Sequence, residues 1–220
     1  MKIWRGESLL TGEPISLYLT FGSSNRKTGK MVQTWILRDD VEPHKASLDE
    51  QRTVCGDCKL RDNGCYVTKF QAPLAVYRRY VNTDIVEPPK RITALRLGSY
   101  GDPAAVPFEV WQKLVLRTQG AITGYTHSWR EADTRLQRYC MASVDTPDEA
   151  AAAWSEGWSI FATCRLPGAK QCPADRTGGM VKCITCGLCS GNRKNQRAIW
   201  IRPHGNQAKR IVEMQNAYTQ

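Results

Sequence analysis

Nine cysteines among 220 residues are more thiol than an ordinary core uses, and seven of them fall in two tight groups. The run Lys182-Cys-Ile-Thr-Cys-Gly-Leu-Cys-Ser190 contains C-x2-C-x2-C, with Cys172, followed by Pro173, eleven residues before Cys183. Gaps of two residues let successive thiolates point at one centre while the intervening backbone N–H groups turn towards the sulfurs. This is the spacing of ferredoxin-like iron-sulfur ligation, in which a cysteine beside proline also occurs. Tetrahedral zinc suits four cysteines as well. Cys172, Cys183, Cys186 and Cys189 are therefore expected to hold metal, a 4Fe-4S cluster first and zinc as the alternative.

The other group, Val54-Cys-Gly-Asp-Cys-Lys-Leu-Arg-Asp-Asn-Gly-Cys-Tyr66, is C-x2-C-x6-C and offers three local ligands, Cys55, Cys58 and Cys65. Completed by Cys164, Cys140 or a histidine, it would be a second closed site. Left incomplete, it would leave one iron open for chemistry, as in enzymes that bind S-adenosylmethionine, although their usual spacing is C-x3-C-x2-C. Cys140 and Cys164 stand in apolar strand contexts and read as core thiols. Cys164, at a strand end, is the better fourth ligand. In a reducing cytoplasm clustered thiols more often bind metal than pair as disulfides, and an odd count leaves one unpaired in any all-disulfide scheme.

These groups need a scaffold, and from residue 91 onward the pattern is regular. Strands are expected at 92–97, 121–125, 140–144, 159–163 and 198–202. Helices are expected at about 107–118, 130–138, 146–156 and 207–217, the first opened by Pro107 and the third by Thr146-Pro-Asp-Glu149. Strands alternating with helices of this length imply right-handed crossovers and a parallel sheet. The expected fold is α/β: a partial (β/α) barrel of about five or six mostly parallel strands, with an open doubly wound sheet as the alternative. Ahead of it, Ser16–Thr20 and Val32–Leu37 flank the turn-forming stretch Gly22–Lys30 and predict an amino-terminal β-hairpin. Residues 39–52 read as a linker and 66–82 as a helix that Pro73 must kink or begin. The division is a hairpin and linker over 1–52 and an α/β domain over 53–220 with a Cys-rich insertion at 164–196.

Reactive groups of parallel α/β folds gather at the carboxyl ends of the strands. Those ends carry Ser99, Tyr100 and Asp102, then Thr126, His127 and Trp129, then Ser143 and Asp145, then Cys164 and His204. Asp102, His127 and Asp145 are the candidate catalytic groups, and Ser99, Tyr100 and Thr126 the candidate cofactor contacts. Each aspartate could equally cap the helix that follows it. No phosphate-cradling glycine loop, nucleophile elbow or metalloprotease helix is present, so ATP-driven and hydrolytic chemistry lack support.

The motif series Leu97-Gly-Ser-Tyr-Gly-Asp-Pro-Ala104, Gly124-Tyr-Thr-His127, Met141-Ala-Ser-Val-Asp145, Gly157-Trp158, Cys172-Pro-Ala174 and the C-x2-C-x2-C run resembles an uncharacterised family of cysteine-rich proteins encoded by bacteriophages and their hosts. The resemblance spans roughly residues 50–206, and in outline it is similar to radical S-adenosylmethionine proteins. It implies a barrel-like fold, bound metal and a place in the bacterial cytoplasm, without implying a particular reaction.

Charge supplies the last expectation. The chain carries +10 overall, and Ser159–Val212 holds ten Lys/Arg against the single acid Asp175. A phosphate backbone would favour such a surface, with Arg193, Lys194 and Arg197 as the contacts to DNA or RNA. Basic neighbours of a thiolate cluster and a solvated face are the plainer explanations. Trp111, Trp154 and Trp158 read as packing residues. No apolar run is long enough to span a membrane, and no signal-peptide core is seen. Three functions compete. The first is an iron-sulfur enzyme of redox or radical type acting on nucleic acid or a nucleotide. The second is a non-catalytic nucleic-acid-binding metalloprotein. The third is a base-exchanging enzyme similar to tRNA-guanine transglycosylases, with Cys183, Cys186, Cys189 and His204 imitating their zinc site.

Overall fold

Two turns of backbone, each capped by its own sequence, show how local chemistry builds the scaffold. Thr146 is the N-cap of a helix at Pro147–Ser155, its hydroxyl accepting from the Glu149 N–H, and Ser47 and Glu50 form a reciprocal capping box on Leu48–Cys55. The second of these helices begins inside the stretch expected to be a linker. The computed structural model describes residues 1–22, 25–204 and 208–217. Ser23 and Ser24 of the expected turn, and Gln207 of the expected last helix, lie outside them.

In chain order the strands are β1 (Lys2–Glu7), β2 (Pro14–Phe21), β3 (Val32–Arg38), β4 (Leu95–Tyr100), β5 (Ile122–Thr126), β6 (Met141–Val144), β7 (Ile160–Ala162), β8 (Lys170–Gln171) and β9 (Ala198–Trp200). The helices are α1 (Leu48–Cys55), α2 (Leu60–Asn63), α3 (Ala72–Tyr80), α4 (Phe108–Leu116), α5 (Pro147–Ser155), α6 (Pro173–Arg176), α7 (Cys183–Cys186) and α8 (Ala208–Ala217). Pro73 stands in the first turn of α3, where its missing N–H has no helical partner to lose. The expected helix at 130–138 is a single 3-10 segment, Thr134–Arg138, capped by Asp133.

All the strands join one open sheet in the order β1-β2-β3-β4-β5-β6-β7-β9-β8. The pairs β1–β2 and β2–β3 are antiparallel, and every later pair is parallel. The sheet thus has nine strands where five or six were expected. The difference has two sources. The amino-terminal hairpin pairs in parallel with β4 through β3 and extends the same sheet, and the six-residue β1 and the two-residue β8 add the edges among the described residues.

Alternation along the parallel strands divides the sheet into two unlike faces. Leu95, Leu97, Ile122, Ala142, Val144, Ile160 and Ala162 point into the main core, where α4 supplies Trp111, Leu114 and Val115 and α5 supplies Ala150 and Ala153. Trp111 is fully buried and donates from its indole N–H to the Pro103 carbonyl at 2.9 Å. Met141, Ile199 and Ile201 point the other way and pack, with Tyr125 and Phe161, against Cys172, Cys189, Cys183 and Leu188. Helices cover one face and the carboxyl-terminal cysteine segment covers part of the other.

Candidate functional site: two cysteine groups on one cavity

The amino-terminal cysteine group is carried by α1 to the carboxyl end of β4. Cys55 is the last residue of α1, and the Val54 carbonyl just before it accepts from the Asp102 N–H at 2.6 Å. The helix has a second anchor in Ser8, whose hydroxyl donates to the Thr53 carbonyl at 2.6 Å. Gly101 permits the approach: it has φ +84°, and a Cβ there would lie 2.6 Å from the Ile36 Cβ and 3.2 Å from the Val54 oxygen. Cys58 and Cys65 follow on either side of α2.

The carboxyl-terminal group is tied down by residues from far away in sequence. The Cys172 N–H donates to the Trp200 carbonyl and the Cys183 N–H to the Lys27 carbonyl, both at 2.8 Å. Lys27 belongs to the amino-terminal hairpin, and its ammonium pairs with Asp175 at 3.3 Å. Asp175 also accepts from Arg202 at 3.2 Å and from Gln171 at 3.3 Å. Burial favours the neutral acid there, but those three donors outweigh it and hold the carboxyl below its usual range. The single acid of the basic third is consumed in clamping the cysteine segment. Gly187, in the left-handed region, ends α7 and turns the chain towards Cys189.

Both groups line one cavity of about 190 Å³. Cys55, Cys58 and Cys65 approach it from one side and Cys172, Cys183, Cys186 and Cys189 from the other, with Arg96, Tyr125, Ser143 and Phe161 from the sheet between them. Within each group the sulfurs act on one another. Burial pushes the Cys189 thiol up to about 12, with Cys172, Cys183 and Cys186 adding to the effect and a hydrogen bond from Tyr125 opposing it. Cys55 is raised first by burial and then by Cys58 and Cys65. Among the described residues no three His, Cys, Asp or Glu side chains form a ready-made metal-holding group.

The other expected residues separate. His127 lies beside Cys58. Burial disfavours its charge, but the Cys58 sulfur, with Asp145 and Asp102 beyond, raises its pKa to about 9, and its Nε2 is buried without a hydrogen-bond partner. Asp145 is raised by burial, against a pull from His127, and shares a side pocket with His127, Cys58, Lys59 and Glu149. Asp102 accepts from the backbone N–H groups of Ala104, His127 and Ser128 at 2.9, 2.8 and 3.2 Å, so its carboxylate positions the β4 and β5 ends. Ser99 and Tyr100 line the cavity, Ser99 with its hydroxyl on Gln33 at 2.7 Å. Thr126 is fully buried and outside that lining. Cys164 is also outside it, within the influence of Asp145 and Glu149, and Cys140 is buried against Gly124 on the helix-covered side. His204 reaches the cavity with its ring 5.8 Å from that of Tyr66.

Arg193 and Lys194 are exposed on the loop before β9, apart from the cavity lining, and Arg197 is half-buried, its Nε donating to the Asn195 carbonyl at 3.3 Å. Sequence reasoning missed Arg96, Lys27 and Tyr66. Arg96 left a trace, a charge between Leu95 and Leu97 in an apolar strand. Compared with known proteins, the chain matches no protein-family model, no curated protein and no solved structure. Among the described residues no helix is long and apolar enough to cross a membrane.

Proposed function

We propose that the protein is a two-centre metal-thiolate enzyme of redox or radical type, with iron-sulfur clusters at both cysteine groups. The observation that carries this reading is the convergence of the two groups, 107 residues apart from Cys65 to Cys172, on one cavity beneath a parallel sheet. The residue types suit the clusters: four cysteines at 172, 183, 186 and 189, and three at 55, 58 and 65 with His127 beside Cys58, all on the lining of the same cavity. Zinc is the alternative at the four-sulfur site. In this reading the parallel run of strands is the wall of a partial (β/α) barrel, and the three-sulfur centre faces the cavity with one position open to S-adenosylmethionine. A bound iron-sulfur cluster supplies one-electron transfer. The chain itself would hold the cluster with its thiolates, with His127 beside Cys58 and Tyr100, Phe161 and Ile201 lining the cavity and keeping water out.

Anaerobic purification followed by iron, zinc and sulfide analysis tests the reading, joined to electron paramagnetic resonance with and without S-adenosylmethionine. The expected result is a brown protein whose signal shifts on adding it. An unchanged signal would assign the three-sulfur centre as closed by His127, and a colourless protein holding only zinc would overturn the iron-sulfur assignment.

A nucleic-acid substrate is a second reading, favoured by one observation. Trp154, expected to be a packing residue, is 43% exposed and lines an open groove with Lys170, Arg197, Asn195 and Gln196, and among the described residues no carboxylate contributes to that lining. Aromatic stacking beside cations suits a single strand. Replacing Arg193, Lys194 and Arg197 together by glutamine is expected to weaken single-stranded binding and flatten its dependence on salt. Equal affinity at all salt concentrations would sink this reading.

A further inference from the structure

The helix-covered face of the sheet is not covered to its end. The crossovers from β4 to β5 and from β6 to β7 each lay a nine-residue helix on that face, α4 and α5. The crossover from β7 to β9 carries only the four-residue α6 and α7, which pack on the opposite face. Beside α5 lies an open groove of about 730 Å³. Its floor includes Ile160 and Leu166, 3% and 7% exposed. One wall is a single side of α5, where Pro147, Ala150, Ala151 and Trp154 recur at helical spacing. Glu149 stands off that side and accepts from Lys59 at 2.8 Å. The other wall is the loop before β9, pinned to the end of α5: the Gln196 amide donates to the Trp154 and Trp158 carbonyls at 2.8 and 3.2 Å, and the Asn192 amide to the Gly157 carbonyl at 2.8 Å. Trp154 and Arg197 are thereby held on one groove before any ligand arrives, which lowers the cost of binding.

Charge says what fits there. Lys170 and Arg197 line the groove, and Arg193 and Lys194 are exposed on the adjoining loop. Asp175, the one acid between Ser159 and Val212, is paired with Lys27 and Arg202. A half-exposed indole over an apolar floor, flanked by cations, matches a flat ring with negative charge beside it. We propose that this groove holds a single strand of nucleic acid, one unpaired base stacked on Trp154 and its phosphates on Lys170 and Arg197, an inference that rests on the nucleic-acid reading above and locates it. Base pairs of a duplex keep their faces stacked on one another, so only an unpaired base can offer a face to Trp154. Every base has such a face, and the site is therefore tolerant of sequence. Among the described residues Leu188 alone lines both the groove and the cysteine cavity, so the strand passes beside the cavity without filling it.

The test uses the full chain, a labelled mixed-sequence DNA strand and the same strand annealed to its complement. Fluorescence anisotropy gives the affinities across a range of salt, with circular dichroism as the check on folding. Trp154→Ala is expected to weaken single-strand binding about tenfold, the scale of one base stack, while its duplex affinity and salt dependence stay like the parent's. Lys170→Gln is expected to weaken both and to reduce the salt slope by about one contact. Parent-like single-strand affinity in Trp154→Ala overturns the proposal, and leaves the nucleic-acid reading standing if the change at Arg193, Lys194 and Arg197 still weakens binding. Equal losses on single strand and duplex would give Trp154 a structural role and also overturn it. If Trp154→Ala does not fold, Lys170→Gln decides, and an unchanged salt slope there overturns it. A parent that sediments as a dimer, with Trp154→Ala a monomer, would make a second copy the occupant of the groove and overturn it as well. A parent that binds neither form at low salt defeats the nucleic-acid reading itself, a result separable from each of these.

Discussion

The two cysteine groups reach the same cavity by opposite means. Cys55, Cys58 and Cys65 are delivered by a capped helix docked on the neighbouring strand end: the Asp102 N–H donates to the Val54 carbonyl, the Ser8 hydroxyl to the Thr53 carbonyl, and the His127 N–H to the Asp102 carboxylate. Cys172, Cys183, Cys186 and Cys189 sit in and around two four-residue helices that pack on β6 and β9, held by backbone bonds from Cys172 to Trp200 and from Cys183 to Lys27 and by the charges of Lys27, Asp175 and Arg202. A centre meant to bind a substrate needs a rigid mount and an open side. One meant to stay closed can be wrapped by loops and neutralised by cations. On the proposed two-centre reading, the docked helix suits an open role for the Cys55, Cys58 and Cys65 group and the wrapped segment a closed one for the other.

Substitutions aimed at each mount should separate them. The largest effect is expected at Gly101, where alanine would combine a left-handed backbone with a clash against Ile36 and Val54, at about 3 kcal/mol. Urea unfolding should show the loss, and metal at Cys55, Cys58 and Cys65 should fall while the four-sulfur centre keeps its own. Equal loss at both would erase the contrast.

Asp175→Asn is the complementary change. Its side chain is 8% exposed but its partners are partly solvated, so the expected cost is about 2 kcal/mol at neutral pH, confined to the carboxyl-terminal centre. The pH dependence has a definite sign. A carboxyl held below its usual range gives stability that is complete above the unfolded pKa of about 3.9 and lost as pH falls through the lower folded value. Asparagine removes that component, so the variant should lose less stability than the parent below about pH 4, measured by urea midpoints across pH. Parallel profiles would show that Asp175 acts by shape alone.

Much of this was written in local sequence, and the reasons are physical. Thr146 before Pro147 and the apolar spacing of Trp111, Leu114 and Val115 mark α5 and α4, because capping and amphipathic burial are short-range effects. The grouping of cysteines is likewise a local signal, and the structure brings both groups to one cavity. What escaped is long-range. Lys27 meets Cys183 and Asp175 across some 150 residues of chain, and Arg96 meets Tyr66 only once β4 and the amino-terminal cysteine segment share a cavity. The pairing of β3 with β4, which carries the hairpin into the main sheet, is equally invisible to a pattern read within either strand. Asp102 shows the reverse case, a rim carboxylate whose three backbone donors are fully explained by loop architecture.

The bond from the Cys183 N–H to the Lys27 carbonyl joins the β2–β3 loop to the segment between β8 and β9. During synthesis the amino-terminal cysteine segment has its anchors once Ser128 has emerged, whereas the other group has half of its clamp waiting at Lys27 and the remainder arriving with Arg202. Long sequence separation makes such closure a late event. The segment that carries Cys172 to Cys189 can thus be clamped only after Arg202 has been made, later than the docking of the segment that carries Cys55 to Cys65.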